Sequence, residues 1–151
     1  MEQLIFDSGI REYKINNNGV LRFNPGDPNV YARFMEASEK IQRIEEEMVA
    51  QAKEADAPEA ASAAVLQILS AADKQMKDVL NWVFGKGNDF DEIMEGVNLM
   101  AVAVNGERVI TNLLNALLPI IQEGAEACAK QQVGDAVQQA KLNRAQRRAQ
   151  A

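Results

Sequence analysis

The sequence predicts an α+β fold that is mostly α: an N-terminal β-hairpin packed on a bundle of about four helices, with a basic C-terminal tail. Three observations predict it. Residues 10–23 alternate imperfectly between apolar and polar side chains on either side of Asn18-Gly19. Asn24-Pro25-Gly26-Asp27-Pro28 then punctuates the chain more sharply than any other segment. Beyond it, apolar residues recur at spacings of three and four over several long stretches, the period of a helix with one buried face. The organisation that follows is a hairpin region over residues 1–27, a helical bundle over 28–134 in the same domain, and a basic tail over 135–151.

The hairpin comes first. Leu4-Ile5-Phe6 is a short apolar run before a turn at Asp7-Ser8-Gly9, and Ile10, Tyr13 and Ile15 alternate with Arg11, Glu12 and Lys14. Asn18-Gly19 tolerates the left-handed backbone of a tight turn, and Val20-Leu21-Arg22-Phe23 is the return strand. An isolated hairpin is marginal in water, so this one is expected to dock on helices. At the next corner Pro25 pushes Asn24 away from helical angles and Gly26 permits a reversal. Asp27 is placed as an N-cap, with Pro28 at the first helical position, where its missing N–H costs nothing.

Helix one is expected from Pro28 to Ala55, with Tyr31, Phe34, Ser38, Ile41, Glu45 and Met48 on its inner face. A mobile connector over residues 54–62 follows, with Pro58 as the breaker. Helix two, Glu59 to Phe84, carries a seam of Val65, Leu69, Ala72, Met76, Leu80 and Val83, broadened by Trp82 and others. Gly85-Lys86-Gly87 stops it. Asp89 caps a third helix from Phe90 to Val104, ended by Asn105-Gly106, and a last helix runs from Glu107 to Gln132. That helix has too many aliphatics for one narrow stripe, which marks either a central core helix or a self-association surface, and Pro119 is placed to bend it. The tail's Ala- and Gln-rich composition permits helix, while its weak apolar content equally fits a disordered end.

Composition narrows the function classes. A chain of 151 residues suits one domain with a modest core. With 16 Lys+Arg against 22 Asp+Glu, the formal net charge is −6, which argues against nucleic-acid or membrane-surface binding as a default. There is no His, so the commonest general base and the commonest metal ligand are both missing. Cys128 is the single Cys and has no partner for an internal disulfide. With no basic, apolar leader visible at Met1 to Gly9, this leads to the expectation of a cytoplasmic protein. The longest aliphatic stretch, Leu113 to Ile121, falls far short of the ~20 apolar residues of a spanning helix.

No motif points to catalysis. Asp89, Asp91, Glu92 and Glu95 lack the ligand spacing of a calcium loop, and the first three suit a helix N-terminus. Gly85-Lys86-Gly87-Asn88 lacks the spacing of a phosphate-binding loop. Cys128 has no His to act as its base, and Glu45-Glu46-Glu47 reads as a solvated helix face. A non-enzymatic protein with no catalytic, metal or cofactor residues is expected. Candidate partner-binding residues are Leu113, Leu114, Leu117, Leu118, Ile120 and Ile121, with Met76, Met94 and Met100 as adaptable fillers of a groove. The competing reading of each is ordinary core. The tail's Arg144, Arg147 and Arg148, with Lys141, are candidates for contact with phosphates or with an acidic protein surface, against a merely solubilising end.

Gly9, Tyr13-Lys14-Ile15-Asn16, Leu21-Arg22-Phe23-Asn24-Pro25, Asp27 and Pro28 resemble the opening of the tail assembly chaperones of long-tailed phages and prophages. The helical remainder is similar in kind, and Asn143-Arg144-Ala145-Gln146-Arg147-Arg148 resembles the basic ends of several proteins of that class. The resemblance covers about the first 35 residues and the last few. It implies a chaperone that binds the tape measure protein, a long apolar helical chain, and keeps it soluble until tail-tube subunits polymerise around it. It also implies absence from the finished particle, the shorter of two products related by ribosomal frameshifting, and tube subunits recruited by the longer one. A small bundle with surplus aliphatics is further expected to self-associate. The rival expectations are a virion structural protein, such as a connector or minor tail component, and a small nucleic-acid-binding regulator using the basic tail.

Overall fold

The computed structural model describes residues 1–54 and 58–150. Its elements are β1 (Arg11–Ile15), β2 (Gly19–Phe23), α1 (Pro28–Glu54), α2 (Pro58–Phe84), α3 (Phe90–Ile93) and α4 (Val109–Ala149). The chain is thus the expected α+β protein, a two-stranded antiparallel hairpin on a mostly helical body. Part of the expected connector, residues 55–57, lies outside the described residues, as does Ala151.

The hairpin pairs Arg11 with Phe23, Glu12 with Arg22, Tyr13 with Leu21, Lys14 with Val20 and Ile15 with Gly19. Leu21 and Phe23 are buried, whereas Glu12 and Arg22 form an exposed ion pair at 3.0 Å on the outer face. The turn differs from the expectation. Asn16 takes the left-handed backbone (φ 52°), and Gly19 is already paired in β2. Gly19 is glycine for another reason: a Cβ there would collide with the Ile93 carbonyl of α3. Leu4-Ile5-Phe6 forms no strand and is exposed.

Aromatic rings tie the hairpin to the body. Tyr13 stacks on Phe23 (centroids 5.1 Å apart), Phe23 meets Phe84 edge-on at 4.8 Å, and Phe84 lies 5.5 Å from Phe90. Asn88 covers the outer edge of β2 at Arg22. Its Oδ1 accepts from the Arg22 N–H (2.9 Å) and its Nδ2 donates to the Arg22 carbonyl (2.8 Å).

The corner before α1 is built as expected. Asn24 Oδ1 accepts from the Gly26 N–H, and Asp27 Oδ1 caps the Asn29 N–H at 2.9 Å. In α1 the buried face is Val30, Phe34, Ala37, Ile41 and Met48, so Tyr31 and Ser38 fall outside it. In α2, Ala72, Met76, Leu80 and Val83 are buried as expected. Trp82 stays 41% exposed, with Lys40 Nζ 3.9 Å from its ring centroid. Arg33 Nε donates to the Val83 carbonyl (2.9 Å), which sets the start of α1 beside the end of α2.

The third helix is much shorter than expected. Asp89 does cap it, Oδ1 accepting from the Asp91 N–H, but Glu95 (φ 54°) and Gly96 (φ 75°) both turn left-handed and end it. Residues 97–108 instead fold as turns that supply the start of α4. The Leu99 carbonyl accepts from the Ile110 N–H and the Ala101 carbonyl from the Val109 N–H. These bonds replace the side-chain cap that Arg108 does not provide. Leu99 is held in turn by Asp73, whose Oδ1 accepts from its N–H at 2.7 Å.

α4 runs antiparallel to α1: Arg108 reaches Glu45 at 4.0 Å near one end, and Gly124 meets the Pro25-Gly26 corner near the other. It continues past the expected stop at Gln132 to Ala149, because the tail holds no proline and is rich in helix-forming residues. From Ala129 onward every described side chain is exposed.

Candidate protein-interaction site

Half of the six aliphatic candidates singled out from the sequence are core. Leu113, Leu117 and Ile121 are buried, because residues at this spacing share the face of α4 that looks into the body. Leu114 and Leu118 are half-buried against the core on one flank, and Ile120 is half-buried on the other. Met76, Met94 and Met100 are buried too. The six candidates therefore do not form one surface. Arg144, Arg147 and Arg148 are exposed on the last turns of α4, where positive charge complements the helix dipole.

What the fold leaves open is a trough between β1 and α4. One part, about 480 Å³, is bounded by Tyr13 and Ile15 of β1 and by Val109, Ala116 and Ile120 of α4. A second part, about 660 Å³, is bounded by Ile10, Arg11, Glu123, Ala127 and Cys128. Tyr13 and Ile120 border both, so the two parts adjoin. Leu113, Leu117 and Met94 contribute to its apolar floor, while Asp7, Arg11 and Glu123 make the far part more polar.

The flank of α4 along the trough reads Val109, Asn112, Ala116, Ile120, Glu123 and Ala127, again at helical spacing. Small Ala116 and Ala127 keep it hollow. The sequence carried that stripe but gave no sign that β1 would lie opposite it. The seating on α4 of the corner after β2 depends on Gly124, which touches the Pro25 carbonyl so closely that a Cβ would not fit. The Asn24–Pro28 corner therefore helps to position the trough, and Asn24, Pro25 and Gly26 line its far part.

The trough's lining combines apolar side chains with the charged Asp7, Arg11, Lys14 and Glu123. Cys128 is half-buried at its far end. Among the described residues no cluster of three or more His, Cys, Asp or Glu is placed to hold a metal ion, and no helix is long and apolar enough to cross a membrane. Comparison of the chain with protein-family models, with curated proteins and with solved structures gave no match in any of the three.

Proposed function

We propose that this chain is a tail assembly chaperone of long-tailed phages or prophages: a non-enzymatic protein that binds the tape measure protein and keeps it soluble while the tail tube assembles. The observation that carries the reading is the apolar trough between β1 and α4. A helical partner presents a stripe of large side chains at three- and four-residue spacing, and such stripes are taken up by apolar grooves. The trough offers Tyr13, Ile15, Val109 and Ile120 as walls and Ala116 as space. The motif resemblance at Tyr13–Asn16 and Leu21–Pro28 supports the same reading, since these residues build the hairpin wall and its corner. The protein would act in the host cytoplasm, and a longer frameshifted product would recruit tube subunits.

Co-expression with a tape measure protein should raise the soluble fraction of that protein and yield a complex on size-exclusion chromatography. Ala116→Arg, at an exposed position lining the trough, should abolish the complex with the fold intact. A second reading, contact with nucleic-acid phosphates, is favoured by the exposed Arg144, Arg147 and Arg148. It requires salt-dependent retention on DNA or RNA that is lost when those arginines are replaced.

A further inference from the structure

We propose that residues 1–6 are an exchange arm: Leu4-Ile5-Phe6 of one copy adds as a strand to the free edge of β1 in a second copy and sets Leu4 and Phe6 into its trough. The arm has the composition of a strand and none of the contacts of one. Leu4, Ile5 and Phe6 are 86%, 80% and 73% exposed, three large apolar side chains in succession. Among the described residues no backbone hydrogen bond joins residues 1–6 to the rest of the chain.

The edge it fits follows from the hairpin register. Arg22 gives both its N–H and its carbonyl to Asn88, so both point away from β1. Glu12 lies opposite Arg22, and Lys14 is two residues on. In an antiparallel pair their N–H and carbonyl groups therefore point away from β2, along the outer edge of β1. Asn88 covers the β2 edge at Arg22, and none of the described backbone hydrogen bonds closes the edge of β1. Open strand edges of this kind are templates for another strand. Side chains alternate along a strand, so an added Leu4 and Phe6 share a face, as Tyr13 and Ile15 do on the trough wall.

The occupant is a second copy because the arm is held off its own edge. Gly9 N–H donates to Asp7 Oδ1 (2.8 Å), Asn24 Nδ2 donates to the Ser8 carbonyl (3.2 Å), and Gly9 packs against Asn24 with no room for a Cβ. The chain is thus pinned at the Asn24 corner just before β1, and Leu4–Phe6 do not return along it. Every copy supplies one arm and one edge, so reciprocal exchange satisfies both. The geometry is independent of the functional reading; only its consequence rests on it, namely that an arm in the trough excludes a tape measure helix.

The test uses the full chain. Light scattering behind size exclusion should show wild type as an oligomer. Leu4→Asp with Phe6→Asp, both at exposed positions, should reduce it to the 16.6 kDa monomer with an unchanged circular dichroism spectrum. Phe6→Cys and Ala116→Cys, each in a Cys128→Ser background, should form a disulfide-linked dimer when mixed under an added oxidant. A wild type that is monomeric throughout, an oligomer indifferent to the two aspartates, or a mixture of the Phe6→Cys and Ala116→Cys chains that forms no disulfide-linked dimer would overturn the proposal. Loss of oligomerisation leaves capture of the tape measure protein to be read separately, so the two readings fail independently.

Discussion

Lys77 is nearly enclosed, 4% exposed, with Nζ 2.9 Å from Asp73 Oδ2 and 2.7 Å from Asp91 Oδ1. Burial alone lowers its affinity for a proton, but the hydrogen bonds and charges of Asp91 and Asp73 outweigh that, and its pKa is raised. A group whose folded pKa lies above its unfolded value stabilises the fold below the unfolded pKa, about 10.4 for Lys. That contribution is lost as the pH climbs through the folded value. Unfolding midpoints in urea should therefore fall above about pH 10.4, and Lys77→Met should flatten that fall. Gly124 makes the second residue-scale prediction. A methyl group there meets the Pro25 carbonyl, so Gly124→Ala should cost about 1–3 kcal/mol in chemical denaturation, although alanine is the better helix former.

Element by element, legibility tracked how local the cause was. The Asn24–Pro28 corner and the cap at Asp89 were legible because a side chain bonds to a backbone group two residues on. The seam of α2 was legible because its period is regular over many turns. α3 was not, because Glu95 adopts a left-handed backbone that its residue type disfavours and that Gly96 completes. The start of α4 was hidden for a similar reason: its caps are carbonyls from Leu99 and Ala101, placed by a tertiary bond to Asp73. The exposed half of α4 buries nothing, so helix propensity alone holds it. Gly134→Pro should lower the helical circular dichroism signal by melting that half. The unfolding midpoint of the body should stay where it is, because a side chain begun at Gly134 would meet nothing beyond its own helix backbone within 4 Å.

At the scale of the whole molecule, the hairpin and α4 matter for the space they leave between them. The sequence pointed to α4, and of its six candidates there Ile120 lies on the open flank. Leu113, Leu117 and Ile121 fill the core, while the open flank is the weaker stripe through Ala116, Ile120 and Ala127. Surplus aliphatics within one helix show that it is packed on more than one side, and only the tertiary placement of β1 shows which side remains free. Gly19 against Ile93 and Gly124 against Pro25 set that placement, and neither close approach is visible in the chain itself.

The most direct test is to co-express a tape measure protein with the wild-type chain and, separately, with Ala116→Arg, and to measure soluble complex by size exclusion with light scattering. A complex with wild type that is lost with Ala116→Arg, while the variant keeps its helical signal and unfolding midpoint, is the predicted result. A complex that forms equally well with the trough blocked, or no complex with wild type at any ratio, would contradict the account.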